Sequence, residues 1–245
     1  VFPRFGGGSS VFDSRPANAT ARALMINTAF RYAFTGATAN LARRSQGWGF
    51  PDLRPLYDNR NNFFIVNQSE VLNQGQSKTY AFDVATGTPQ FRVTMVYRDP
   101  QGAVSPAIAR VNDLSVRVTG PTGTVWWGNN GLNAGNVSTA GGSRNTLDTV
   151  ENVFLVNPPA GRYTVEVFGD VITTDTVPGT PGTNANFSLV AFGGTLFAPP
   201  TCVPDFNNDG ELTFDDIQLF VSSYNGQQAR ADLNSDGEWT FDDIQ

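Results

Sequence analysis

The sequence predicts a mainly β fold: a jelly-roll β-sandwich, preceded by a short α-containing segment and followed by a small acidic module. Three observations carry this expectation. Residues 58–199 are a succession of short apolar segments parted by Gly- and Pro-containing turns, with no helical period. Residues 20–29 carry a compact helix pattern. Residues 205–216 and 232–243 are near copies of one another, offset by 27 positions. The chain therefore reads as three parts, 1–57, 58–199 and 200–245.

In the central part, strands are expected over 63–66, 78–84, 91–97, 114–119, 124–127, 150–156, 162–168 and 187–192. Two of them alternate plainly. Leu114, Val116 and Val118 oppose Ser115, Arg117 and Thr119, while Tyr163, Val165 and Val167 oppose Thr164, Glu166 and Phe168. Clusters such as Gly120-Pro121-Thr122-Gly123 and Pro158-Pro159-Ala160-Gly161 mark the turns. Strands of this number and length suit a β-sandwich, most simply a jelly roll. Trp126 and Trp127 are strand neighbours and face opposite ways, so at most one is expected at the surface, where it would offer a platform for a sugar ring. Residues 171–184 read as a long exposed hairpin loop, and Ala198-Pro199-Pro200-Thr201 as a stiff linker.

The first part offers Gly6-Gly7-Gly8-Ser9-Ser10 as a flexible loop and a helix over Thr20–Ala29, with Asn18 or Thr20 as its cap. Gln46-Gly47-Trp48-Gly49-Phe50-Pro51-Asp52-Leu53 follows. None of these residues forms a chemical motif by itself.

The acidic repeats have the spacing of a loop that wraps a hard cation in oxygens. Asp205, Asn207 and Asp209 hold positions 1, 3 and 5 of the first loop, and Asp232, Asn234 and Asp236 those of the second. Gly210 and Gly237 at position 6 permit the sharp turn. Glu211 and Glu238 at position 7 need only supply a backbone carbonyl, and Thr213 and Thr240 stand at position 9. Position 12 is Asp216 or Asp243, one methylene shorter than the usual Glu. The apolar residues repeat with the ligands: Leu212 and Trp239, Phe214 and Phe241, Ile217 and Ile244. After the first loop, Ile217, Phe220, Val221 and Tyr224 share one helical face that Asn225-Gly226 ends. Calcium is the expected ion at both sites. The second loop stops at Gln245, two residues past its last ligand, so the second repeat is read as truncated and its site as the weaker one.

Composition narrows the function classes. The formal charge of −6 is unevenly spread: residues 201–245 carry ten acids and one base, residues 1–200 twelve acids and fifteen bases. Acidity thus belongs to the tail, and no basic stripe suggests nucleic acid. No apolar run is long enough to span a bilayer. The single cysteine, Cys202, has no intrachain partner. Low Lys with abundant Asn, Thr and Gly suits an extracellular β protein, and calcium loops suit the calcium levels outside cells. Histidine is absent, so neither a Ser-His-Asp nor a Cys-His set can be completed within these residues, and His-ligated zinc sites are excluded.

A loop–helix unit repeated once, with Asp at position 12, no helix before the loop and the lead-in Cys202-Val203-Pro204-Asp205-Phe206-Asn207, resembles a dockerin, an EF-hand-like module. The resemblance implies docking to a cohesin-like partner through loop positions 10 and 11, here Phe214-Asp215 and Phe241-Asp242. Upstream, Ala21-Arg22-Ala23-Leu24-Met25-Ile26-Asn27-Thr28-Ala29 and Gly47-Trp48-Gly49-Phe50-Pro51-Asp52-Leu53 resemble the closing stretch of bacterial subtilisin-like serine peptidases. That family's Gly-Thr-Ser-Met-Ala-Thr-Pro nucleophile motif is not present, so no catalytic residue is carried over. Val111-Asn112-Asp113-Leu114-Ser115-Val116, Gly128-Asn129, Asp148-Thr149-Val150-Glu151-Asn152-Val153 and 159–167 resemble the β-domain behind many such peptidases, akin to the proprotein-convertase P domain. Ser115 replaces an Asp of that family's pattern. The resemblance makes Asp113, Asp148 and Glu151 candidates for a further calcium site, against the alternative of acids solvated at strand ends.

Together the resemblances imply the C-terminal part of a secreted subtilisin-like endopeptidase. It would comprise a peptidase-domain remnant (1–57), a P-domain-like sandwich (58–199) and a dockerin-like tail (200–245). Beginning at Val1 without Met, the chain reads as an internal fragment, inactive alone, whose parent would act on a peptide or protein substrate. The competing expectation is a non-catalytic extracellular protein that binds a glycan or anchors to a surface.

Overall fold

The computed structural model describes residues 14–34, 40–102, 104, 109–197, 206–207, 211, 213–233 and 237–240. The chain divides into two compact units, Val1–Leu196 and Phe197–Gln245.

In the larger unit, helices α1 (Asn18–Asn27), α2 (Arg43–Gln46) and α3 (Leu53–Asp58) precede nine strands. The strands are β1 (Phe64–Asn73), β2 (Ser77–Val84), β3 (Gln90–Tyr97), β4 (Asp113–Thr119), β5 (Val125–Trp127), β6 (Val150–Val156), β7 (Gly161–Val171), β8 (Asn184–Phe192) and β9 (Thr195–Leu196). They form two antiparallel sheets, ordered β1-β8-β3-β6 and β5-β4-β7-β2-β9. The pairing β1 with β8, β2 with β7, β3 with β6 and β4 with β5 is that of one long hairpin rolled up into two layers. That is a jelly roll, and β9 adds a short rung beside β2.

The two sheets differ in how many faces they bury. Strand β7 alternates buried and half-buried residues, because its outer face meets water. Strands β3, β6 and β8 are buried almost throughout, because their sheet is covered on both sides. Between the sheets, Val93, Met95, Leu114, Val116, Val165 and Leu189 are fully buried. An aromatic chain links five strands: Phe64–Phe82 at 5.3 Å, Phe82–Phe91 at 5.7 Å, Phe91–Tyr163 at 5.1 Å and Tyr163–Trp126 at 6.4 Å between ring centroids. Each such ring contributes about 1.5–3 kcal/mol by leaving water. The Tyr163 hydroxyl donates to the Pro159 carbonyl at 3.0 Å, so its one polar atom is satisfied.

The outer face of the four-stranded sheet is covered by α1. Ala19, Ala23, Leu24 and Ile26 pack on Val96, Val150, Phe154 and Val190. Polar residues on that face find partners in the helix: Thr20 Oγ1 lies 2.8 Å from Ser188 Oγ, and Asn27 Nδ2 donates to Thr94 Oγ1 at 3.1 Å. Residues of the first segment thus share a core with the sandwich. The helix spans Asn18–Asn27, so neither Asn18 nor Thr20 caps it. Ala17 holds the cap position, and its N–H is taken by Asn67 Oδ1 at 2.8 Å across the interface.

One acid lies in the core. Glu151 on β6 is fully buried and points between the sheets, where its Oε2 accepts the Val116 N–H at 2.8 Å. Oε1 has no hydrogen-bond partner among the described residues. Burial pushes its pKa well above the ordinary carboxyl range; Val116 N–H opposes this, and the negative charges of Asp113, Asp170 and Asp148 reinforce it. Folded Glu151 therefore keeps its proton to higher pH than unfolded Glu151, and stability falls as pH rises from the unfolded value of about 4.3. Glu151→Gln retains an acceptor for Val116 and removes the titration. The variant should melt several degrees above the parent near neutral pH, at roughly 2–4 °C per kcal/mol recovered, with the gap closing near pH 4. Parallel thermal melts across this range check it. Gly193, at φ +92°, forms the turn between β8 and β9, and a Cβ there would sit 1.9 Å from the Gln90 carbonyl oxygen. At Gly179, φ +98°, a Cβ would meet nothing within 4 Å. Gly193→Ala should cost about 3 kcal/mol or more in denaturant unfolding, and Gly179→Ala only about 1–2.

Candidate metal centre

Five of the ten residues assigned to the acidic loops fall among the described ones: Asn207, Glu211, Asp216, Asp232 and Glu238. Asp205, Asp209, Asn234, Asp236 and Asp243 lie outside them. The first loop leads into helix α4 (Phe214–Asn225), whose start follows from its sequence. Thr213 is the N-cap, its hydroxyl accepts the Asp215 N–H at 3.3 Å, and Asp216 returns a carboxylate to the Thr213 N–H at 2.8 Å, completing a capping box.

Asp216 also ties the two ends of the loop together. Its Oδ1 accepts from the Phe206 N–H at 2.7 Å and the Asn207 N–H at 3.2 Å. The bonds from Thr213, Asn207 and Phe206 hold its carboxyl below the usual range against the opposing effect of burial. Position 12 is thereby brought against positions 2 and 3, which a closed oxygen cage requires. A carboxylate has about four lone-pair sites, so three N–H contacts do not use up its acceptor capacity. In the second loop the Gly237 N–H at position 6 donates to Asp232 Oδ2 at position 1, 2.9 Å away, with Gly237 at φ +83°. The chain thus turns back on its first ligand where a glycine is needed. The oxygen-only donor set fits calcium in kind. Among the described residues, no group of three or more Asp, Glu, His or Cys is placed to hold a metal ion.

The helical face expected after the first loop is only partly covered. Phe220 and Tyr224 are half-buried, and Phe220 meets Phe206 at 5.4 Å. Phe214, Ile217 and Val221 are exposed, Phe214 by 67%.

The three sandwich acids do not come together around one point, and they are not solvated at strand ends. Asp113 and Glu151 are buried. Asp113 pairs with Arg110 at 3.2 Å, although burial raises its pKa more than Arg110 lowers it. Asp148 takes the Arg43 guanidinium through both oxygens and accepts from Asn145 at 2.7 Å and Asn129 at 3.2 Å; these partners hold its carboxyl below the ordinary range despite burial. Ser115, where the resembled family has Asp, donates to Asp170 at 2.5 Å, and Asp170 also pairs with Arg144 at 2.9 Å. Asn112 Oδ1 accepts from Thr173 and Thr174 and pins the loop after β7. Asn129, at φ 65°, bridges to Val150 and Asn152. These motif residues act as braces. Arg110 pairs with Asp113 three residues away, while Arg43 and Arg144 have no spacing signal in the sequence and meet Asp148 and Asp170 only through tertiary structure.

The adjacent tryptophans split as strand geometry requires. Trp126 packs against the inner core beside Tyr163. Trp127 is half-buried on the outer face, 5.7 Å from Phe168, with Arg117 and Arg144 each 5.0–5.4 Å from both ring centres.

No protein-family model and no curated protein matches the chain. Solved structures similar to part of it include the following two. One is the lipase BlEst2 of Bacillus licheniformis in its propeptide form, at 16% identity over 54% of this chain and 22% of that one, with a TM-score of 0.29. The other is the CspB protease of Clostridium perfringens, at 11% identity over 58% of this chain and 28% of that one, with the same TM-score of 0.29. The chain thus spans between a fifth and a third of the length of either protein, and likenesses at this level carry no argument about its fold or activity.

Proposed function

We propose that the chain is the accessory C-terminal region of a secreted subtilisin-like serine endopeptidase, inactive alone, with a calcium-dependent docking tail. The observation that carries this reading is the order of the motifs: peptidase-closing segments at 21–29 and 47–53, then the β-domain motifs at 111–116, 148–153 and 159–167, then the twin acidic loops. A jelly roll in the middle part is consistent with it. Without histidine, a Ser-His-Asp set cannot be assembled from these residues, so acyl transfer would belong to other parts of the parent. The purified chain should show no peptidase activity on casein or on peptide reporters. Activity that persists through repurification and resists serine-protease inhibitors of contaminating enzymes would overturn the proposal.

Calcium would be held by Asp205, Asn207, Asp209, the Glu211 carbonyl and Asp216 in the first loop, and by Asp232, Asn234, Asp236, the Glu238 carbonyl and Asp243 in the second. The bond from Gly237 to Asp232 and the closure of the first loop by Asp216 support this assignment. Exposed Phe214, Ile217 and Val221 on one side of α4 support a docking role toward a cohesin-like partner. Added calcium should raise helicity and slow proteolysis of the tail, because uncompensated carboxylates repel one another in its absence. Asp232→Asn keeps an acceptor for Gly237 but removes a charge, and should weaken calcium binding at the second loop by roughly tenfold or more while sparing the first. Titration calorimetry on both proteins checks this, and a parent that gives no calcium heat at micromolar to millimolar concentration defeats it.

A second reading, a non-catalytic binder of glycans or surfaces, is favoured by one observation: Trp127 and Phe168 lie together on the outer face of the five-stranded sheet. Pull-down on immobilised polysaccharides that is lost in Trp127→Ala supports that reading over the first.

A further inference from the structure

After α1 the chain forms an antiparallel bridge between Phe30 and Phe50: the Phe50 N–H donates to the Phe30 carbonyl at 2.8 Å and the Phe30 N–H to the Phe50 carbonyl at 3.2 Å. Phe30, Tyr32 and Phe34 stand at alternate positions, and their rings gather beside that of Phe50. Centroids lie 4.4 Å apart for Phe30–Tyr32, 6.2 Å for Tyr32–Phe34 and 6.4 Å for Tyr32–Phe50. Arg31 turns inward instead and is buried, its Nη1 donating to the Leu41 carbonyl at 2.8 Å and its Nη2 to the carbonyls of Leu132 and Gly135. The rings face water: Tyr32 is 45% exposed, Phe34 56% and Phe50 68%, and Leu53 follows at 66%.

Polar contacts hold this strip in place. Asn136 bonds the N–H and carbonyl of Arg31 at 3.0 and 2.9 Å, and Gln46 bonds those of Tyr32 at 3.0 and 2.7 Å. Asn40 accepts the Phe34 N–H at 2.7 Å. Gly49, at φ +99°, comes so close that a Cβ would lie 2.2 Å from the Phe30 carbonyl oxygen. The backbone is thereby held against folding the rings inward, and a fixed, exposed apolar strip of this kind marks a contact surface. Its surroundings are cationic. Seven arginines and two aspartates lie among the described residues of 14–60, in a chain of net charge −6. Arg44 is exposed on α2, the helix that carries Gln46, and Arg54 is exposed next to Leu53 at the start of α3. Arg54 meets Asp58 at 3.7 Å in an exposed pair, which a competing anion displaces at little cost.

We propose that this strip binds the surface of an anionic lipid bilayer, with Tyr32, Phe34, Phe50 and Leu53 entering the headgroup boundary and Arg44 and Arg54 on the lipid phosphates. Rings with a polar or cationic border suit that boundary, where apolar area is buried and positive side chains meet negative headgroups. A second copy of the chain is a poorer occupant, because a twofold contact would set one cationic border against another. A protein groove would have to match rings inclined to one another by 52°, 38° and 72°, whereas lipid adapts to any ridge. The attraction is local: the chain as a whole is anionic, so unspecific electrostatics would keep it off such a surface.

The test is co-flotation of the full chain of 245 residues with vesicles of phosphatidylcholine alone or mixed about 3:1 with phosphatidylglycerol. EDTA is present throughout, so that calcium cannot bridge the acidic tail to the lipid. Binding should be saturable on the mixed vesicles, at least fivefold weaker on phosphatidylcholine, and weakened by added salt. Phe34→Ser/Phe50→Ser should weaken it by tenfold or more, with an unchanged thermal melt because both rings are exposed. Arg44→Gln/Arg54→Gln should bring the affinity for mixed vesicles down to that for phosphatidylcholine and remove the salt dependence. If the phenylalanine variant does not fold, the arginine variant and the two lipid compositions still decide. No saturable binding to the mixed vesicles, the result expected if the strip serves an acidic protein instead, overturns the proposal. Equal binding to both compositions, or binding unchanged in a folded Phe34→Ser/Phe50→Ser, overturns it as well.

Discussion

Apolar side chains on both faces of the four-stranded sheet oblige the larger unit to cover that sheet twice. The five-stranded sheet supplies one cover and α1 the other. The second cover is the more exacting one, because the outer face also carries Thr94 and Ser188, which need hydrogen-bond partners out of water. Thr20 and Asn27 meet them seven residues apart on one helix face, and Ala19 and Ala23 leave the backbone room to approach. Rotating α1 by one residue would bury its polar stripe against Phe154 and Val190 and strand both hydroxyls. The position of the N-terminal segment is therefore specified by polar matching as well as by area.

Legibility followed how one-sided each element is. Strand β7 is readable because its outer face meets water and its side chains alternate, and β4 because polar and apolar residues alternate along it, even though Asp113 and Ser115 on its outer side are buried. Strands β3, β6 and β8 announced themselves only as apolar runs, since burial on both faces removes the alternation. Strand β1 runs on to Asn73, seven residues past its expected end, because a bulge between Asn67 and Glu70, with Gln68 at φ 56°, breaks the period. Helices α2 and α3 and strand β9 carry no signal in the sequence pattern. They are four, six and two residues long and exist through tertiary contacts, too short for any period to show. The capping box of α4 is legible in the sequence, since Thr213 and Asp216 stand at the right interval, although the loop spacing assigns Asp216 to metal ligation.

The same interval thus serves two purposes in the tail. An acid at the twelfth position starts the helix by accepting N–H groups, whatever else it binds. In the sandwich the division is sharper: Asn112, Ser115, Asn129 and Asp148 are spent on loop anchoring and polar pairing, so these residues mark how the sandwich is built.

The rolled-hairpin topology sets a timetable for synthesis. Strand β1 pairs with β8, Phe64 opposite Ala191, so neither sheet can close until nearly the whole larger unit has left the ribosome. At about 5–20 residues per second, β1 waits on the order of ten seconds for its neighbour. Through that interval α1 has no surface to lie on, and the edges of β1 and β3 stand open to foreign strands. Only the β4–β5 hairpin, whose partners are close in sequence, can form at once. The nascent chain is accordingly most exposed to misassociation just before β8 emerges, a hazard that belongs to the connectivity and not to any single residue.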